Sequence, residues 1–490
     1  MRSDPPTTLP ALPQFHPATV IRDWDNGEGF TIADAVTGVA VFGATGSGKT
    51  SGTGRHLALG YLGSAAEMGG ILLCAKKDER AQWEQWAREA GREQDLIVFD
   101  ASGKWCFNFL DWEASHAGEG GGLTINVVAL LEEIILALQP EKASAGGENI
   151  WWEDALHQLL ISTVDLVQLA GRELRLASMR DIVRSAPLSR EQAKDPAWQE
   201  ESACWFFLSE AERNTAESNE DVQADYAECR AYWLDDFANL SDRTRSIITL
   251  MFTKLAQPFS ARPLRRLFST ETNIRPEDTF DGRIIIVDLP TQEFRLAGKI
   301  AALVWKYCWQ VAVMRRPPAP TGQYLRPVYV WADEAAENFL SRGDSAFQAV
   351  ARASAGCTVY LAQNINQYRK RLGDNDAFES FISNLQNKFF HQVTGPTAKW
   401  AAELLGERWE HISGWTSGTS IPNALDAGGS QSASATMSEQ RRYYIEPARF
   451  TTLKRGGVAY EFEVEAVCYK GGHIFSDGKP YTILTFNQKK

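Results

Sequence analysis

The sequence predicts an α/β protein in which a mostly parallel central sheet is interrupted by an inserted all-α domain. Short apolar runs alternate with helix-length polar stretches in the first 120 residues and again after residue 276. The block between these two parts contains long stretches with apolar residues at helical spacing instead. The chain has 490 residues, which exceeds the size of one compact core, so more than one domain is expected.

The first α/β part is assigned to residues 31–120. Its candidate strands are apolar runs at 38–43, 69–75 and 95–100, each followed by a polar stretch of helical length. Residues 1–30 precede it and are predicted to form an N-terminal arm, because the first 20 residues are rich in proline and threonine.

The inserted all-α domain is assigned to residues 121–275. Helical spacing of apolar residues is clearest in three segments, at 124–138, 151–169 and 243–256. Between the last two lies a polar stretch, Pro187–Glu228, rich in Glu, Asp and Gln. It is either a partner-binding surface or a cover, and the sequence leaves this open.

The second α/β part is assigned to residues 276–490. Its candidate strands lie at 283–290, 328–334, 357–363, 388–394, 458–467 and 481–486. Residues 415–440 are rich in Ser, Gly, Thr and Ala, a composition that predicts a mobile surface loop.

The composition excludes several classes of protein. A net charge of −12 argues against a surface that coats nucleic acid non-specifically, although a local basic groove remains compatible with it. The seven cysteines have no CxxC spacing, so reduced buried thiols and no structural zinc are expected. Because no run of about 18 uncharged apolar residues occurs, we expect a cytoplasmic protein without direct membrane insertion.

A phosphate-binding motif, GATGSGKT, follows the first candidate strand and matches GxxxxGK[ST] at every defined position. Its glycines let backbone N–H groups point at phosphate oxygens, Lys49 reaches the β- and γ-phosphates, and the Thr50 hydroxyl ligates Mg²⁺. ATP and Mg²⁺ are therefore the expected ligands, and a chance glycine-rich turn is the alternative. The residues assigned to nucleotide binding are Gly43, Ala44, Thr45, Gly46, Ser47, Gly48, Lys49, Thr50 and Ser51.

Two further strand ends carry the predicted catalytic groups. The run VYVWADE ends in Asp333, suited to hold Mg²⁺ through water, and Glu334, suited to deprotonate the attacking water. The next run, CTVYLAQ, ends in Gln363, whose amide can sense the γ-phosphate. The alternatives are an acidic strand end and a solvated glutamine without a role.

The motifs occur in a recognisable order: GATGSGKT, KKDE (76–79), FNFL (107–110), the helical block, RIIIVDLP, VYVWADE and LAQNINQ. This order resembles the coupling-protein ATPases of conjugation and type IV secretion, the TraG/TraD kind, within the FtsK/HerA group of ring-shaped DNA translocases. The resemblance covers about Thr31 to Phe475. It implies a RecA-like P-loop NTPase domain and a hexameric ring that draws single- or double-stranded DNA through a central channel by ATP hydrolysis.

The resemblance also implies an arginine finger from a neighbouring subunit, and Arg352 in AVARASAG stands at that position. A surface arginine is the alternative. Family DNA contacts lie on loops that face the pore, and the segment at 364–374 here is basic. We expect a loop whose Arg369, Lys370 and Arg371 neutralise phosphates beside a stacking Tyr368, or else a solvated charge run. Arg243 and Arg245 are weaker candidates for DNA or subunit contact.

Many coupling proteins begin with membrane helices, which the sequence does not show, so an ATP-driven DNA translocase of a soluble kind is the leading hypothesis. The alternative is an ATP-gated oligomeric adaptor that recruits a relaxase, a nuclease, an effector or a secretion-system protein. A small-molecule kinase is a third class, which the finger-type Arg352 and the long insertion disfavour.

Overall fold

The computed structural model describes residues 12–24, 27–118, 121–138, 148–341, 343–373, 375–419 and 431–489. Its strands are β1 (Val20–Trp24), β2 (Glu28–Thr31), β3 (Val39–Phe42), β4 (Gly69–Leu73), β5 (Leu96–Asp100), β6 (Ile284–Asp288), β7 (Val328–Ala332), β8 (Gly356–Ala362), β9 (Asn387–Phe390), β10 (Glu407–Thr419), β11 (Gln431–Tyr443), β12 (Glu463–Lys470) and β13 (Tyr481–Asn487).

Helices cover both faces of the sheet and form the central block. They are α1 (Ile32–Ala35), α2 (Arg55–Leu62), α3 (Glu79–Glu89), α4 (Phe109–Ala114), α5 (Thr124–Leu138), α6 (Glu148–Leu169), α7 (Leu176–Ser185), α8 (Pro196–Glu201), α9 (Ala203–Thr215), α10 (Glu220–Ala231), α11 (Asp242–Ser260), α12 (Leu264–Phe268), α13 (Thr291–Met314), α14 (Ala335–Asn338), α15 (Gly343–Val350), α16 (Ile365–Leu372), α17 (Asn375–Asn384), α18 (Gly395–Leu405) and α19 (Pro447–Thr451). Between Thr124 and Phe268 every described element is helical, and the polar stretch at 187–228 holds α8, α9 and most of α10.

The main sheet has nine strands in the order β13-β12-β9-β3-β8-β7-β4-β6-β5. From β9 to β5 all neighbouring strands are parallel. Only β12 runs antiparallel to its neighbours, β9 and β13. The predicted α/β class with a mostly parallel sheet is therefore confirmed.

The three strands of this sheet that come first in the sequence, β3, β4 and β5, do not pair with one another. β3 lies between β8 and β9, β4 lies between β7 and β6, and β5 pairs with β6. Because all seven strands from β9 to β5 are parallel, their carboxyl ends meet along one edge of the sheet, where open α/β sheets bind ligands.

Alternate residues of the strands enter two separate apolar cores. In β3, Ala40 and Phe42 pack on the face that continues into the helical block, whereas Val39 and Val41 pack on the other face. Covering both faces explains why these strands read as continuous apolar runs. All seven cysteines are buried and free, as the sequence predicts.

Three sequence predictions are wrong in detail. Within 415–440 the described residues form a hairpin of β10 and β11, not a loop, while residues 420–430 lie outside the described part. The hairpin is formed mainly by polar residues that pair across the two strands. It therefore lacks the alternation of apolar residues by which a strand is predicted from sequence. Within the predicted arm, β1 and β2 form a second hairpin, with residues 1–11 outside the described part. The run 458–467 begins with a 3₁₀ turn, and β12 starts only at Glu463.

Among the described residues, no helix is both long and apolar enough to cross a bilayer.

Candidate nucleotide site

Side chains from four neighbouring strands meet at the carboxyl edge of the sheet. The strands β3, β8, β7 and β4 lie side by side in that order. The phosphate motif follows β3, Gln363 follows β8, and Asp333 with Glu334 follow β7. The strand order therefore brings together three groups that are far apart in the sequence.

The phosphate motif turns sharply at two glycines. Gly46 and Gly48 have φ values of 72° and 83°, which L-residues with a Cβ rarely adopt. At Gly48 a Cβ would also lie 2.7 Å from both γ-carbons of Val464 in β12. The chain then enters a π-helical turn, Thr50–Gly54, which continues into α2. A glycine turn that opens a helix presents backbone N–H groups to an anion.

The lysine of this motif is paired with the predicted acids. Lys49 Nζ lies 3.3 Å from Glu334 Oε1, although the two residues are 285 positions apart in the sequence. It also lies 3.9 Å from Asp333 Oδ1. All three side chains are buried, and buried charges are tolerated when they are paired.

The predicted metal ligands are in contact with each other. Thr50 Oγ1 donates a hydrogen bond of 3.1 Å to Asp333 Oδ2. A hydroxyl and a carboxylate are hard oxygen donors, and Mg²⁺ is commonly held by one or two carboxylates together with substrate phosphates. Within the described residues, no group of three or more His, Cys, Asp or Glu is arranged to hold a metal ion by itself. The hydroxyl of Thr50 and the carboxylate of Asp333 are donors of the kind that suits Mg²⁺ bound together with a nucleotide.

Sequence reasoning did not assign a role to Lys76, which the structure places in the same cluster. Lys76 Nζ lies 2.9 Å from Asp333 Oδ2 and 3.3 Å from Glu334 Oε1. Burial by itself lowers the pKa of Lys76, but Asp333 and then Glu334 outweigh this and raise it. In the sequence, Lys76 stands shortly after β4, which would place it at the carboxyl edge of the sheet. That β4 is next to β7 is revealed only by the strand order.

Glu334 has a strained backbone. Its φ and ψ are 51° and 35°, in the left-handed region that is costly for a residue with a Cβ. Asp333 Oδ1 accepts a hydrogen bond of 2.8 Å from Glu334 N, and Asn338 Nδ2 donates one of 3.3 Å to Glu334 O. Gln363 Nε2 lies 3.3 and 3.2 Å from the two carboxylate oxygens of Glu334. Such strain persists where surrounding contacts fix a functional geometry.

A buried histidine contacts the helical turn that follows the phosphate motif. His391, which follows β9, lies 2.9 Å through Nε2 from the Thr53 hydroxyl. Burial, with a smaller effect of the Lys49 charge, lowers the pKa of His391 to about 3. His391 is therefore neutral near pH 7 and adds no charge beside Lys49.

Arg352 lies at the opposite edge of the sheet. It is exposed and sits in a short 3₁₀ turn, Ala351–Ser354, immediately before β8. β8 has seven residues, so its two ends are on the order of 20 Å apart at about 3.3 Å per residue. Arg352 is therefore remote from Gln363 and from the nucleotide motifs of its own chain.

The basic segment after Gln363 differs from the prediction, because it forms the helix α16 and not a loop. Tyr368 is fully buried in the core and cannot stack on a base. Arg369 lies 3.7 Å from Glu379, and Arg371 Nε donates a hydrogen bond of 2.9 Å to Leu340 O. Lys370 is exposed. A DNA role for the three basic residues stays a prediction.

Of the two weaker candidates, Arg245 is structural. It is buried, and its guanidinium donates to the carbonyl oxygens of Leu188 and Leu240 and to Asp242. Its proposed contact with DNA or another subunit is therefore wrong, because these internal partners occupy it. Arg243 is exposed.

A family model matches part of the chain. Residues 327–455 match the family model TraG-D_C, described as the TraM recognition site of TraD and TraG. This segment contains Asp333, Glu334, Arg352 and Gln363 but not the phosphate motif. No curated protein sequence matches the chain at comparable significance.

Solved structures match nearly the whole chain. The bacterial conjugative coupling protein TrwBdeltaN70 has a TM-score of 0.60 at 12% identity, covering 97% of this chain and 91% of its own. TrwB in complex with ADP and Mg²⁺ has a TM-score of 0.56 at 13% identity, covering 96% and 89%. TrwB with the ATP analogue ADPNP has a TM-score of 0.55 at 12% identity, covering 96% and 89%.

Proposed function

We propose that the chain is an ATP-driven DNA translocase of the conjugative coupling-protein kind. The match of residues 327–455 to TraG-D_C and the likeness of the fold to that of TrwBdeltaN70 support this proposal. The observation that carries the proposal is the contact of Lys49 with Asp333 and Glu334 at the carboxyl edge of the sheet. This is the place and the residue set that a P-loop ATPase requires. The similar structures that hold ADP with Mg²⁺ or an ATP analogue support the same ligands here.

We assign each residue a task in hydrolysis. The backbone from Gly43 to Ser51 and the ammonium of Lys49 bind the phosphates. When bound, Mg²⁺ neutralises charge on the phosphate oxygens. Glu334 accepts the proton of the attacking water, and Gln363 orients its carboxylate through one contact to each of the two oxygens. Because Gln363 lies between β8 and α16, a change in this contact would also reach α16.

We propose a homo-oligomeric ring, with six subunits by analogy with the resembled family, in which Arg352 acts on the site of a neighbour. Its place at the amino edge of the sheet rules out contact with the phosphates of its own chain. An exposed arginine at that edge meets a phosphate only across a subunit boundary. An arginine finger supplied in trans stabilises the charge that develops in phosphoryl transfer.

Arg352→Ala is expected to lower ATP turnover by about 10³-fold in the assembled protein, the scale of an arginine finger. Mixing it with an inactive Lys49→Ala variant should restore activity, because some boundaries then combine an intact Lys49 with an intact Arg352. Steady-state ATPase rates across a series of mixing ratios measure this. Arg283→Ala, an exposed arginine at the same edge, is the matched control and should retain full rate. If mixing restores no activity, Arg352 does not act on the site of a neighbouring subunit.

DNA should stimulate the ATPase if the protein moves along it. We expect the turnover of the assembled protein to rise about tenfold or more with saturating DNA, and the stimulation to weaken as salt is raised, because phosphate contacts release counterions. Rates with single-stranded, double-stranded and no DNA, over a salt series, measure this. An ATPase that is indifferent to every DNA in the assembled state would contradict the translocase.

The second candidate, an ATP-gated adaptor, is favoured by the description of the matched family segment as a recognition site for another protein. In that case ATP turnover is slow and independent of DNA, while affinity for one protein partner depends on the bound nucleotide. Pull-down with ATP, with ADP and without nucleotide separates the two functions.

A further inference from the structure

One carboxylate oxygen of Asp333 contacts both the Thr50 hydroxyl and the Lys76 ammonium. Asp333 Oδ2 is the oxygen that accepts from Thr50 Oγ1 at 3.1 Å, so it is the atom that fits Mg²⁺. The same oxygen accepts from Lys76 Nζ at 2.9 Å. An ammonium that contacts this oxygen and a divalent ion held beside it would repel each other.

The two lysines of the cluster differ in their freedom to move. The side chain of Lys49 is 8% exposed, whereas that of Lys76 is 30% exposed. Lys49 belongs to the phosphate motif, and its position there is fixed by the turn on either side of it. Lys76 stands at the rim of the site on a long flexible side chain, so its ammonium can move into solvent without a change in the backbone.

The charge balance requires a second cation when no ligand is bound. The side chains of Asp333 and Glu334 are 5% and 11% exposed, and the two carboxylates together carry two negative charges. Lys49 supplies one positive charge and Lys76 the other. Two nearby buried carboxylates with a single counter-charge would repel each other and disfavour the ionised pair.

We propose that Lys76 is a displaceable counter-ion of Asp333: it neutralises the carboxylate when the site is empty and withdraws when Mg²⁺ binds with the nucleotide. This rests on the proposed nucleotide function and adds a regulatory element to it. The lysine keeps the empty site neutral and sets the concentration of Mg²⁺ that the protein needs. Lys76 is thus a positioning residue, which acts through Asp333 and not on the nucleotide.

The test is a Mg²⁺ titration of ADP binding to the full-length protein, measured by calorimetry. Lys76→Met removes the competing charge and keeps the length of the side chain. We expect its half-saturating Mg²⁺ concentration to fall by about tenfold, because the lost contact is a hydrogen bond between charged groups. Lys77→Met is the matched control, since that neighbouring lysine is 81% exposed and contacts only Glu293 among its described ion pairs. It should leave the midpoint unchanged.

A second readout needs no nucleotide. In thermal unfolding with a chelator, Lys76→Met should melt several degrees below the wild type, and added Mg²⁺ alone should remove most of the difference. Lys76→Arg should keep the wild-type melting temperature, since it retains the charge. If Lys76→Met does not fold, Lys76→Gln serves in both measurements.

Three results would overturn the proposal. An unchanged Mg²⁺ midpoint in Lys76→Met means that Lys76 does not compete with the ion. Loss of ADP affinity of equal size with Mg²⁺ and with chelator means that Lys76 contacts the nucleotide directly. A melting difference that Mg²⁺ does not reduce means that Lys76 only stabilises the fold. If the wild type binds no ADP at any Mg²⁺ concentration, the proposed nucleotide function fails instead, and thermal unfolding with Mg²⁺ alone still tests the counter-ion.

Discussion

Glu334→Gln is expected to lower ATP turnover by about 10²- to 10⁴-fold while nucleotide binding stays within a few-fold of the wild type. The amide has nearly the same shape as the carboxylate but cannot take a proton from water. The site retains Lys49, Thr50 and Asp333, which are the groups assigned to the phosphates and Mg²⁺. Single-turnover hydrolysis and equilibrium binding of ATP, measured on the same sample, separate the two effects.

Glu337→Gln is the matched control for this variant. Glu337 lies three residues further along, is exposed, and accepts from Gln367 at 3.3 Å, away from Lys49 and Lys76. It should hydrolyse ATP at the wild-type rate. If Glu334→Gln also hydrolyses at that rate, another group takes the proton and the role given to Glu334 is wrong.

Lys49→Ala has the second large expected effect, and here binding and turnover should fall together. We expect ATP affinity to weaken by about 10- to 100-fold, since contacts to charged groups contribute about 1.5–3 kcal/mol. Turnover at saturating ATP should fall by a further factor of about 10², which is the effect of losing a group that stabilises charge in the transition state. Calorimetric binding and steady-state rates over a range of ATP concentrations measure both.

The empty site should also respond to Lys49→Ala. Asp333 and Glu334 would keep only Lys76 as a counter-charge, so the melting temperature without nucleotide should fall. Lys104→Ala removes an exposed lysine that contacts only Trp105 among the described ring contacts, and it should change none of these quantities. Wild-type affinity in Lys49→Ala would contradict the phosphate role of the motif.

The phosphate motif and the acidic strand could be predicted because their chemistry is local. A glycine turn between a strand and a helix, and two carboxylates at a strand end, each show in a few consecutive residues. Gln363 was predictable for the same reason, as the polar end of an apolar run. Its contact with Glu334 follows once β7 and β8 are neighbours.

Other features depend on contacts that the sequence does not reveal. Lys76 could not be assigned because its importance comes from the adjacency of β4 and β7, which are separated by the helical block. Tyr368 was taken as accessible because it stands in a basic run, yet α16 turns it into the core. Arg245 was misread in the same way, since helix α11 directs it to buried carbonyl groups. The ribbon of β10 and β11 resembled a loop because its stabilising contacts are between strands rather than along one strand.

The pairing of β3, β4 and β5 determines when the protein can fold during its synthesis. All their partners, β6 to β9, are encoded after the helical block, so the ribosome releases three apolar strands long before any partner exists. Unpaired apolar edges invite association with other chains, and a cell commonly meets this with chaperones. The helical block, by contrast, is complete before the partners appear. The nascent chain therefore has a complete helical block and an incomplete sheet, and the nucleotide pocket can form only after β7 and β8 have been synthesised.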